Sequence, residues 1–312
     1  MITLSVIVPV RDGAAYIADA LTSLVRNRRP DFEVIVVDDG SADDTGAITD
    51  EFRKELPGLH LIRNQVPVGL ADARNVGLKL ASGKYVTFLD ADDWIGRGYL
   101  AALVGAIDGL GCDFVRVDHV QVNGLKRETH RAPAGRRGVV LDPREAILPA
   151  GAKTMVDYPY AWAGVYRRET LGDLLTFPSG LHTAEDRPWI WRLHQRARSF
   201  AAVSISGVFY RRGVPQSLTQ IGDERQLHFF DAFDLIFEEV EERFLPKAAR
   251  TFCALLAHHL ATGERFTPEM LARFEARGAD RVRRLPEPLV RESVEALEPE
   301  QRVHLTRFLE VS

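Results

Sequence analysis

Short, almost wholly apolar segments recur through the first 120 residues of this chain, and a segment of helical spacing follows each of the first four. The apolar segments cover residues 4–10, 32–37, 60–63, 85–89 and 114–122. β-Branched and apolar residues without polar alternation are typical of strands buried on both faces of a sheet. Strand–helix alternation at this spacing predicts an α/β fold, in which a mostly parallel sheet lies between helices.

The second half of the chain has a different pattern. Residues 123–158 contain Pro, Gly and several basic residues, which favours a loop or hairpin over the sheet edge. A helix at 185–198 and a strand at 200–210 are predicted next, and four later segments have helical spacing: 223–245, 247–262, 267–277 and 289–310. Acidic residues outnumber basic ones after residue 220. We therefore expect an α/β domain over residues 1–220 and a C-terminal α-helical region over residues 221–312.

The composition excludes several classes of protein. Of the 312 residues, 46% are hydrophobic and 27% are charged, as in an average globular protein. The net charge of −4 argues against a nucleic-acid-binding protein. Two cysteines cannot build a disulfide framework or a four-cysteine zinc site. No apolar run reaches the roughly 18 residues of a membrane span, and the N-terminus is typical of a buried strand rather than a signal peptide, so we expect a cytoplasmic protein.

Polar side chains follow three of the predicted strands, in Pro9-Val10-Arg11-Asp12, Asp38-Asp39 and Asp90-Ala91-Asp92-Asp93. Ligands of open parallel sheets bind beyond these carboxyl ends. One acidic strand end alone is typical of a helix cap, but two neighbouring clusters repel unless a cation or a donor-rich ligand neutralises them. Carboxylates two residues apart suit a hard divalent cation that also binds phosphate. Because the chain has no glycine-rich phosphate loop, metal and basic side chains would hold any phosphate.

Four motifs occur in order within the first 120 residues: SVIVPV at 5–10, VDDGSADDT at 37–45, GLADARNVG at 69–77 and GKYVTFLDADD at 83–93. Together they resemble the family 2 inverting glycosyltransferases of the GT-A fold. Beyond residue 120 the similarity is confined to Glu185-Asp186 and to residues 210–219. The resemblance implies a GT-A fold, which is a Rossmann-like, mostly parallel sheet between helices, here followed by a C-terminal helical appendage. It also implies transfer of a sugar from a nucleoside-diphosphate sugar.

The resemblance also implies which residues bind the donor nucleotide. Pro9 and Val10 would border its base, and Asp39 would accept a hydrogen bond from a ring N–H of that base. Asp90 would face the ribose. Two further residues would lie at the wall of the nucleotide site: Asp12 and Arg74.

For the donor diphosphate, the resemblance implies a metal and a basic clamp. Asp92 would ligate Mg²⁺ or Mn²⁺, which acts as a Lewis acid for the leaving nucleoside diphosphate. Asp93 would either support that site or cap the following turn. Arg211, Arg212 and Ser217 follow a predicted strand and would clamp the diphosphate, with one arginine pointing inward.

Displacement at the anomeric carbon also needs a base for the proton of the acceptor hydroxyl. Glu185-Asp186 matches the Glu-Asp pair of the family, in which the second carboxylate is the usual base. We therefore expect Asp186 to be the base, with Glu185 as the alternative. The local sequence from Thr183 onward is also typical of a helix start, and the two roles are compatible because helix N-terminal N–H groups stabilise a carboxylate.

Nearby aromatic and imidazole groups have two interpretations each. His182 and His194 flank the Glu-Asp pair, and a lone histidine is more often a packing group than a ligand of metal or diphosphate. Trp162, Trp189 and Trp191 are candidates for stacking on sugar rings, with core packing favoured for at least two of them.

Two departures from the family pattern bear on the acceptor. The chain has no Trp-x-Lys at Trp162 and lacks the Gln/Arg-x-x-Arg-Trp motif of processive polymer synthases, so single additions are favoured. The expected donor is a UDP-sugar and the expected acceptor a hydroxyl of a glycan, glycolipid or cell-envelope polymer. Basic residues in 126–144 and 187–212 are either solvated or paired, or they indicate an anionic acceptor at the inner membrane face.

Two alternatives to sugar transfer fit the same strand-end carboxylates. One is a nucleotidyltransferase that makes an activated sugar, which is disfavoured because a Gly-rich, lysine-bearing loop does not follow the first strand. The other is an inactive sugar-nucleotide-binding scaffold, against which the presence of both Asp92 and Asp186 argues.

Overall fold

A computed structural model describes residues 1–214, 218 and 221–309, and within these ranges the chain forms one nine-stranded sheet with helices on both sides. The strand order is β3-β2-β1-β4-β8-β6-β9-β5, and β7 pairs with β6 at the side. The strands are β1 (Leu4–Val10), β2 (Phe32–Asp38), β3 (Leu59–Arg63), β4 (Tyr85–Phe88), β5 (Trp94–Ile95), β6 (Phe114–Asn123), β7 (Lys126–His130), β8 (Gly164–Arg167) and β9 (Phe200–Arg211).

Helices fill the crossovers and the C-terminal third of the chain. None of the helices in the described ranges has the length and apolar character needed to cross a membrane. They are α1 (Ile17–Val25), α2 (Thr45–Glu51), α3 (Leu70–Leu80), α4 (Tyr99–Leu110), α5 (Arg168–Leu171), α6 (Asp186–Arg196), α7 (His228–Glu239), α8 (Leu245–Ala261), α9 (Pro268–Arg284), α10 (Glu287–Glu295) and α11 (Pro299–Leu309).

The sheet confirms the expected GT-A architecture. Strands β3, β2, β1 and β4 are parallel neighbours, and every residue of β1 and β2 is buried, as the unbroken apolar runs require. Strand β8 is antiparallel to both β4 and β6. Because β8 is antiparallel to both of its neighbours, β6 runs in the same direction as β4, and β9 is parallel to β6. The carboxyl ends of the long strands therefore lie at the same edge of the sheet.

The structure differs from the predicted elements in two places. The predicted strand at 114–122 and part of the expected irregular region form the β6–β7 hairpin, but β8, beyond that region, is a four-residue strand that its sequence, GVYR, does not distinguish from a loop. The last predicted helix is two helices, because Pro299 begins α11 and cannot continue α10.

The C-terminal helices pack on an aromatic cluster centred on Phe229, Phe230, Phe252 and Phe274. Each of these side chains is at most 2% exposed, and neighbouring ring centroids lie 4.7–6.5 Å apart. This cluster joins the hydrophobic core of the sheet layers in one continuous set of buried residues. The C-terminal helices are therefore held against the α/β layers by burial of large apolar side chains.

A buried ion pair ties α8 to the loop before β8. The Lys247 ammonium is buried and donates to Asp157 Oδ2 at 2.5 Å and to the Ala152 carbonyl at 2.8 Å. Asp157 also accepts from the Thr251 hydroxyl at 3.0 Å and from the Thr154 amide at 2.7 Å. Because every oxygen of Asp157 is engaged, the pair fixes the loop that leads to β8 against α8.

Replacing one partner of this pair should destabilise the fold. We expect Lys247→Met to lower the free energy of unfolding by about 3 kcal/mol, because it leaves Asp157 without its cation. The double variant Lys247→Met/Asp157→Asn should recover most of that loss, since it removes the unpaired charge as well. Urea denaturation of the two variants measures both values, and a double variant no more stable than Lys247→Met would contradict this role of the ion pair.

Candidate functional site

A cavity of about 570 Å³ opens at the edge of the sheet where the parallel strands end. Residues after β1 and β4 form one side of it, the start of α6 and the end of β9 form another, and the C-terminal helices complete it. Eight of the predicted site residues line this cavity: Pro9, Val10, Asp12, Arg74, Asp90, Asp92, Glu185 and Asp186. Arg212 lines it as well, whereas Ser217 lies outside the described residues.

Arg74 connects the donor motifs to the Glu-Asp pair. Its guanidinium is 3% exposed and donates to Asp90 Oδ1 at 3.0 Å and to Glu185 Oε1 at 2.6 Å. Burial alone would lower the pKa of Arg74, but the charges of Asp90 and Glu185 outweigh it and raise that pKa. We call this pair of contacts the Arg74 bridge.

The acidic cluster after β4 combines three carboxyl groups in different surroundings. Partial burial and the neighbouring Asp90 raise the pKa of Asp92 to about 6. Asp93 is fully buried; it accepts from the Arg211 amide at 2.7 Å, and its Oδ2 has no partner among the described residues. Burial and the charges of Asp92 and Asp90 raise the pKa of Asp93 well above its usual range. Asp93 therefore supports the loop from beneath, while Asp90 and Asp92 face the cavity.

These two cavity-facing carboxylates suit a divalent cation. Asp92 forms no ion pair within the part of the chain that the structure describes, and its neighbour Asp90 is paired only through Arg74. In that part of the chain, no group of three or more His, Cys, Asp or Glu side chains surrounds a common point. Oxygen ligands from a bound diphosphate would thus have to complete the coordination of a cation held at Asp92.

The two arginines at the end of β9 have different positions. Arg211 turns away from the cavity: it donates to the Asp92 carbonyl at 2.8 Å and to Asp19 Oδ2 at 2.7 Å, and its guanidinium lies 4.7 Å from the centroid of Trp94. Arg212 lines the cavity and donates to the Tyr210 hydroxyl at 2.9 Å. Arg211 therefore positions the acidic loop, and Arg212 is the arginine that points inward.

Asp39 and Asp12 bind neighbouring loops. Both oxygens of Asp39 accept hydrogen bonds, from the Asn64 amide group at 2.7 Å and from the amides of Val68 and Gly69 at 2.9 and 2.8 Å. Asp39 is not among the described residues that line the cavity, and its contact with the base stays a prediction. Asp12 has a φ of 50° and accepts from the Ala42 amide at 2.8 Å.

Gly69 allows the loop held by Asp39 to approach the loop before α6. Its φ is +94°, and a side chain there would place its Cβ 2.8 Å from His182 Nδ1. His182 stacks on His228 with ring centroids 5.2 Å apart, and its amide donates to His228 Nδ1. His182 thus packs between the Gly69 loop and α7.

The segment before α6 carries the predicted base. The Thr183 hydroxyl donates to the Arg225 carbonyl at 2.7 Å, and Ala184 has a φ of 59°, which is rarely adopted by alanine. Helix α6 begins at Asp186, one residue after the predicted start, and has no side-chain capping hydrogen bond. The left-handed backbone conformation of Ala184 and the hydrogen bond of Thr183 to the segment before α7 together position Glu185 and Asp186 at the cavity.

Glu185 and Asp186 differ in what they contact. Glu185 is buried and bound in the Arg74 bridge, whereas Asp186 is half-buried and lines the cavity. Burial, followed by the negative charge of Glu185, raises the pKa of Asp186. Of the two carboxyl groups, Asp186 is therefore the one without an ion-pair partner among the described residues.

The remaining aromatic candidates divide between core and cavity. His194 is fully buried between Phe114 and Phe200, and burial lowers its pKa to about 3, so it is a packing residue. Trp189 and Trp191 are also buried in the core, as favoured above.

Trp162 is different, because it lines the cavity and belongs to an aromatic wall. This aromatic wall consists of Tyr160, Trp162 and Tyr210, with Tyr160 stacked on Trp162 at 4.7 Å between centroids. Sequence reasoning missed the two tyrosines, although Tyr210 directly precedes the predicted arginines.

A second wall of the cavity was not predicted at all. We call it the C-terminal wall; its members lie on or beside α7 and α8 and are Gln226, Phe229, Leu255, His258, His259 and Arg265. The helices that supply it were predicted, but no local sequence pattern shows which of their faces meets the strand ends. Of the arginines in 187–212, Arg187 and Arg212 line the cavity, and Arg192, Arg196 and Arg198 do not.

The sequence and the fold were compared with those of known proteins. The family model described as glycosyl transferase family 2 matches residues 5–173. EpsJ of Bacillus subtilis, named an uncharacterized glycosyltransferase, is 30% identical over 70% of this chain and 63% of its own length. The poly(ribitol-phosphate) beta-N-acetylglucosaminyltransferase TarS of Staphylococcus aureus is 29% identical over 80% of this chain and 42% of its own length. The match thus spans less than two thirds of either relative.

Solved structures share the fold at lower sequence identity. The crystal structure of S. aureus TarS 1–349 in complex with UDP-GlcNAc has a TM-score of 0.73 at 20% identity and covers 100% of this chain and 93% of that one. The mannosyltransferase PcManGT of Pyrobaculum calidifontis, in complex with GDP-Man and Mn²⁺, has a TM-score of 0.55 at 21% identity and covers 98% and 86%. The family model matches more than half of the chain, and three of the four motifs within its range contribute residues to the cavity; this chain belongs to glycosyl transferase family 2.

Proposed function

We propose that the chain transfers a sugar from a UDP-sugar to a hydroxyl group by a metal-dependent, inverting reaction. The observation that carries the proposal is that Asp92 and Asp186 line one cavity, beside the two carboxylates, Asp90 and Glu185, that the Arg74 bridge joins. Pro9, Val10, Asp12, Asp90 and Arg212 supply the donor nucleotide side of that cavity. TarS, whose structure contains UDP-GlcNAc, supports a UDP-sugar as donor.

Asp92 would hold Mg²⁺ or Mn²⁺ together with the diphosphate of the donor. A cation there supplies Lewis-acid stabilisation of the leaving nucleoside diphosphate. Its charge would also offset the repulsion between Asp90 and Asp92 that raises the pKa of Asp92.

Asp186 would act as the base. Its carboxylate takes the proton of the acceptor hydroxyl while that oxygen attacks the anomeric carbon, and the bond to the diphosphate oxygen breaks on the opposite face. One displacement of this kind inverts the anomeric configuration. Glu185 is less suited to the same task, because its Oε1 is bound to the Arg74 guanidinium, whereas Asp186 has no ion-pair partner among the described residues.

A cell-envelope polymer is the proposed acceptor class. TarS is named for transfer to poly(ribitol-phosphate), and this supports a phosphate-bearing polymer.

We further propose that residues 1–220 form the catalytic domain with residues 221–312 completing its cavity, and that the protein works in the cytoplasm near the inner membrane face. The family assignment favours sugar transfer over a nucleotidyltransferase, and the open Asp186 favours an active enzyme over a scaffold.

Donor and metal should bind together. We expect UDP-GlcNAc to raise the melting temperature of the wild type more with Mn²⁺ than without it, because a ligand that binds only the native state stabilises it. Asp92→Asn should lose the Mn²⁺-dependent part of the shift in a thermal-shift assay. Asp173→Asn, an exposed carboxylate away from the cavity, is the matched control. An unchanged Mn²⁺ response in Asp92→Asn would refute the metal assignment.

Removing the base should affect turnover and not donor binding. Asp186→Asn keeps the shape of the side chain but cannot accept the proton, so kcat should fall by about 10²–10⁴-fold. The affinity for UDP-GlcNAc, measured by calorimetry, should stay near the wild-type value. A larger loss of kcat in Glu185→Gln than in Asp186→Asn would exchange the two assignments.

The pH profile should report the environment of Asp186. The base works only when ionised, and its raised pKa places ionisation at a higher pH than the usual value of 3.8. On the acid side, kcat/KM should therefore fall as the pH drops through this raised value, since kcat/KM reports the free enzyme. Glu185→Gln removes a negative charge beside Asp186 and should move the acid limb to lower pH. An acid limb near pH 4 in the wild type would contradict the assignment.

A further inference from the structure

The C-terminal wall differs in charge from the region that builds it. Residues 221–312 contain more acidic than basic residues. The described residues that this region contributes to the cavity nevertheless include no carboxylate, and the ionisable ones are His258, His259 and Arg265. Although residues 221–312 are acidic overall, the described side chains that they present to the cavity are hydrogen-bond donors or apolar groups.

Arg187, the second residue of α6, extends this set of donors. It lines the cavity next to Asp186. The cavity-lining Arg74, by contrast, is paired with Asp90 and Glu185. Among the described residues, no carboxylate lies within ion-pair distance of Arg187, so its charge is available to a bound molecule.

His259 presents a defined hydrogen-bond donor. Its Nδ1 is hydrogen-bonded to the Arg265 guanidinium, which can only donate, so Nδ1 accepts and the ring proton lies on Nε2. The ring is held between Phe229 and Phe274, with centroids 4.8 and 5.4 Å away. The donor at Nε2 is therefore fixed in orientation.

The basic groups also act on one another. Burial, and then the charges of Arg265 and Arg187, lower the pKa of His258 and lower that of His259 to about 3. Arg187 also acts on Asp186, whereas the charges that act on Asp92 are those of Asp90 and Arg211. This positive potential therefore lies on the side of the base rather than on the side of Asp92.

We propose that Arg187, His258 and His259 form a subsite for a phosphodiester group of the acceptor. A guanidinium binds two phosphate oxygens in a planar, bidentate geometry, and an imidazole N–H adds a directed third donor. A phosphodiester held there would place a neighbouring hydroxyl of the same polymer unit beside Asp186. The inference rests on the proposed function and assigns the acceptor side of the same cavity.

Binding measurements test this subsite better than turnover does, because Arg187 also influences the pKa of the base. Calorimetry would first measure UDP binding with Mg²⁺, and then titrate a poly(ribitol phosphate) oligomer into the UDP–Mg²⁺ complex. Free ribitol is the uncharged comparison. The variants are Arg187→Gln and His258→Gln, with Arg196→Gln as the control on the exposed part of the same helix.

Arg187→Gln should weaken oligomer binding by roughly 10–100-fold and His258→Gln by roughly 2–10-fold, the ranges for a charged and a neutral hydrogen bond. UDP affinity should stay unchanged in both variants, and Arg196→Gln should bind the oligomer like the wild type. Ribitol should bind far more weakly than the oligomer.

Three results would overturn the subsite while leaving UDP binding intact: no oligomer binding by the wild type, equal binding by all variants, or equal binding of ribitol. A loss of UDP affinity in Arg187→Gln would assign this arginine to the donor diphosphate instead. A wild type that fails to bind UDP would refute the proposed function itself.

Discussion

The Arg74 bridge is the interaction on which the site depends. One buried guanidinium contacts the loop after β4 through Asp90 and the loop before α6 through Glu185, although these partners are 95 residues apart in the chain. A buried cation of this kind is stable only because both carboxylates compensate it. The charge balance of Arg74 therefore fixes the distance between the donor motif and the Glu-Asp pair.

The bridge also decides which carboxylates remain open. Asp90 and Glu185 are bound to Arg74, and Asp93 is buried under the amide of Arg211, so among these carboxylates Asp92 and Asp186 line the cavity without an ion-pair partner in the described part of the chain. Both open groups are held at raised pKa values by burial and by a paired neighbour of like charge. Raised carboxyl pKa values concentrate at functional sites, because burial and pairs of like charges are arranged there to shift them.

The sequence predicted the sheet and the strand-end side of the cavity because both depend on local pattern. Unbroken apolar runs identify β1, β2 and β4, and the carboxyl ends of parallel strands must converge, so Pro9, Asp90 and Asp92 meet. Contacts between residues far apart in the sequence could not be predicted from local pattern. Asp39 is bound by the amides of residues 68 and 69, and β8 enters the sheet as four residues without a distinctive pattern. The C-terminal wall depends on which helix face packs inward, and only tertiary packing decides that.

The position of the C-terminal wall has a consequence for how specificity is distributed along the chain. The match to the family model ends at residue 173, before Asp186 and before every member of the wall. The strand-end carboxylates and the C-terminal wall are thus encoded in separate parts of the chain. If the proposed function holds, substitutions on α7 and α8 would change which molecule receives the sugar without disturbing those carboxylates. Two chains with the same four N-terminal motifs would accordingly share a donor and modify different polymers.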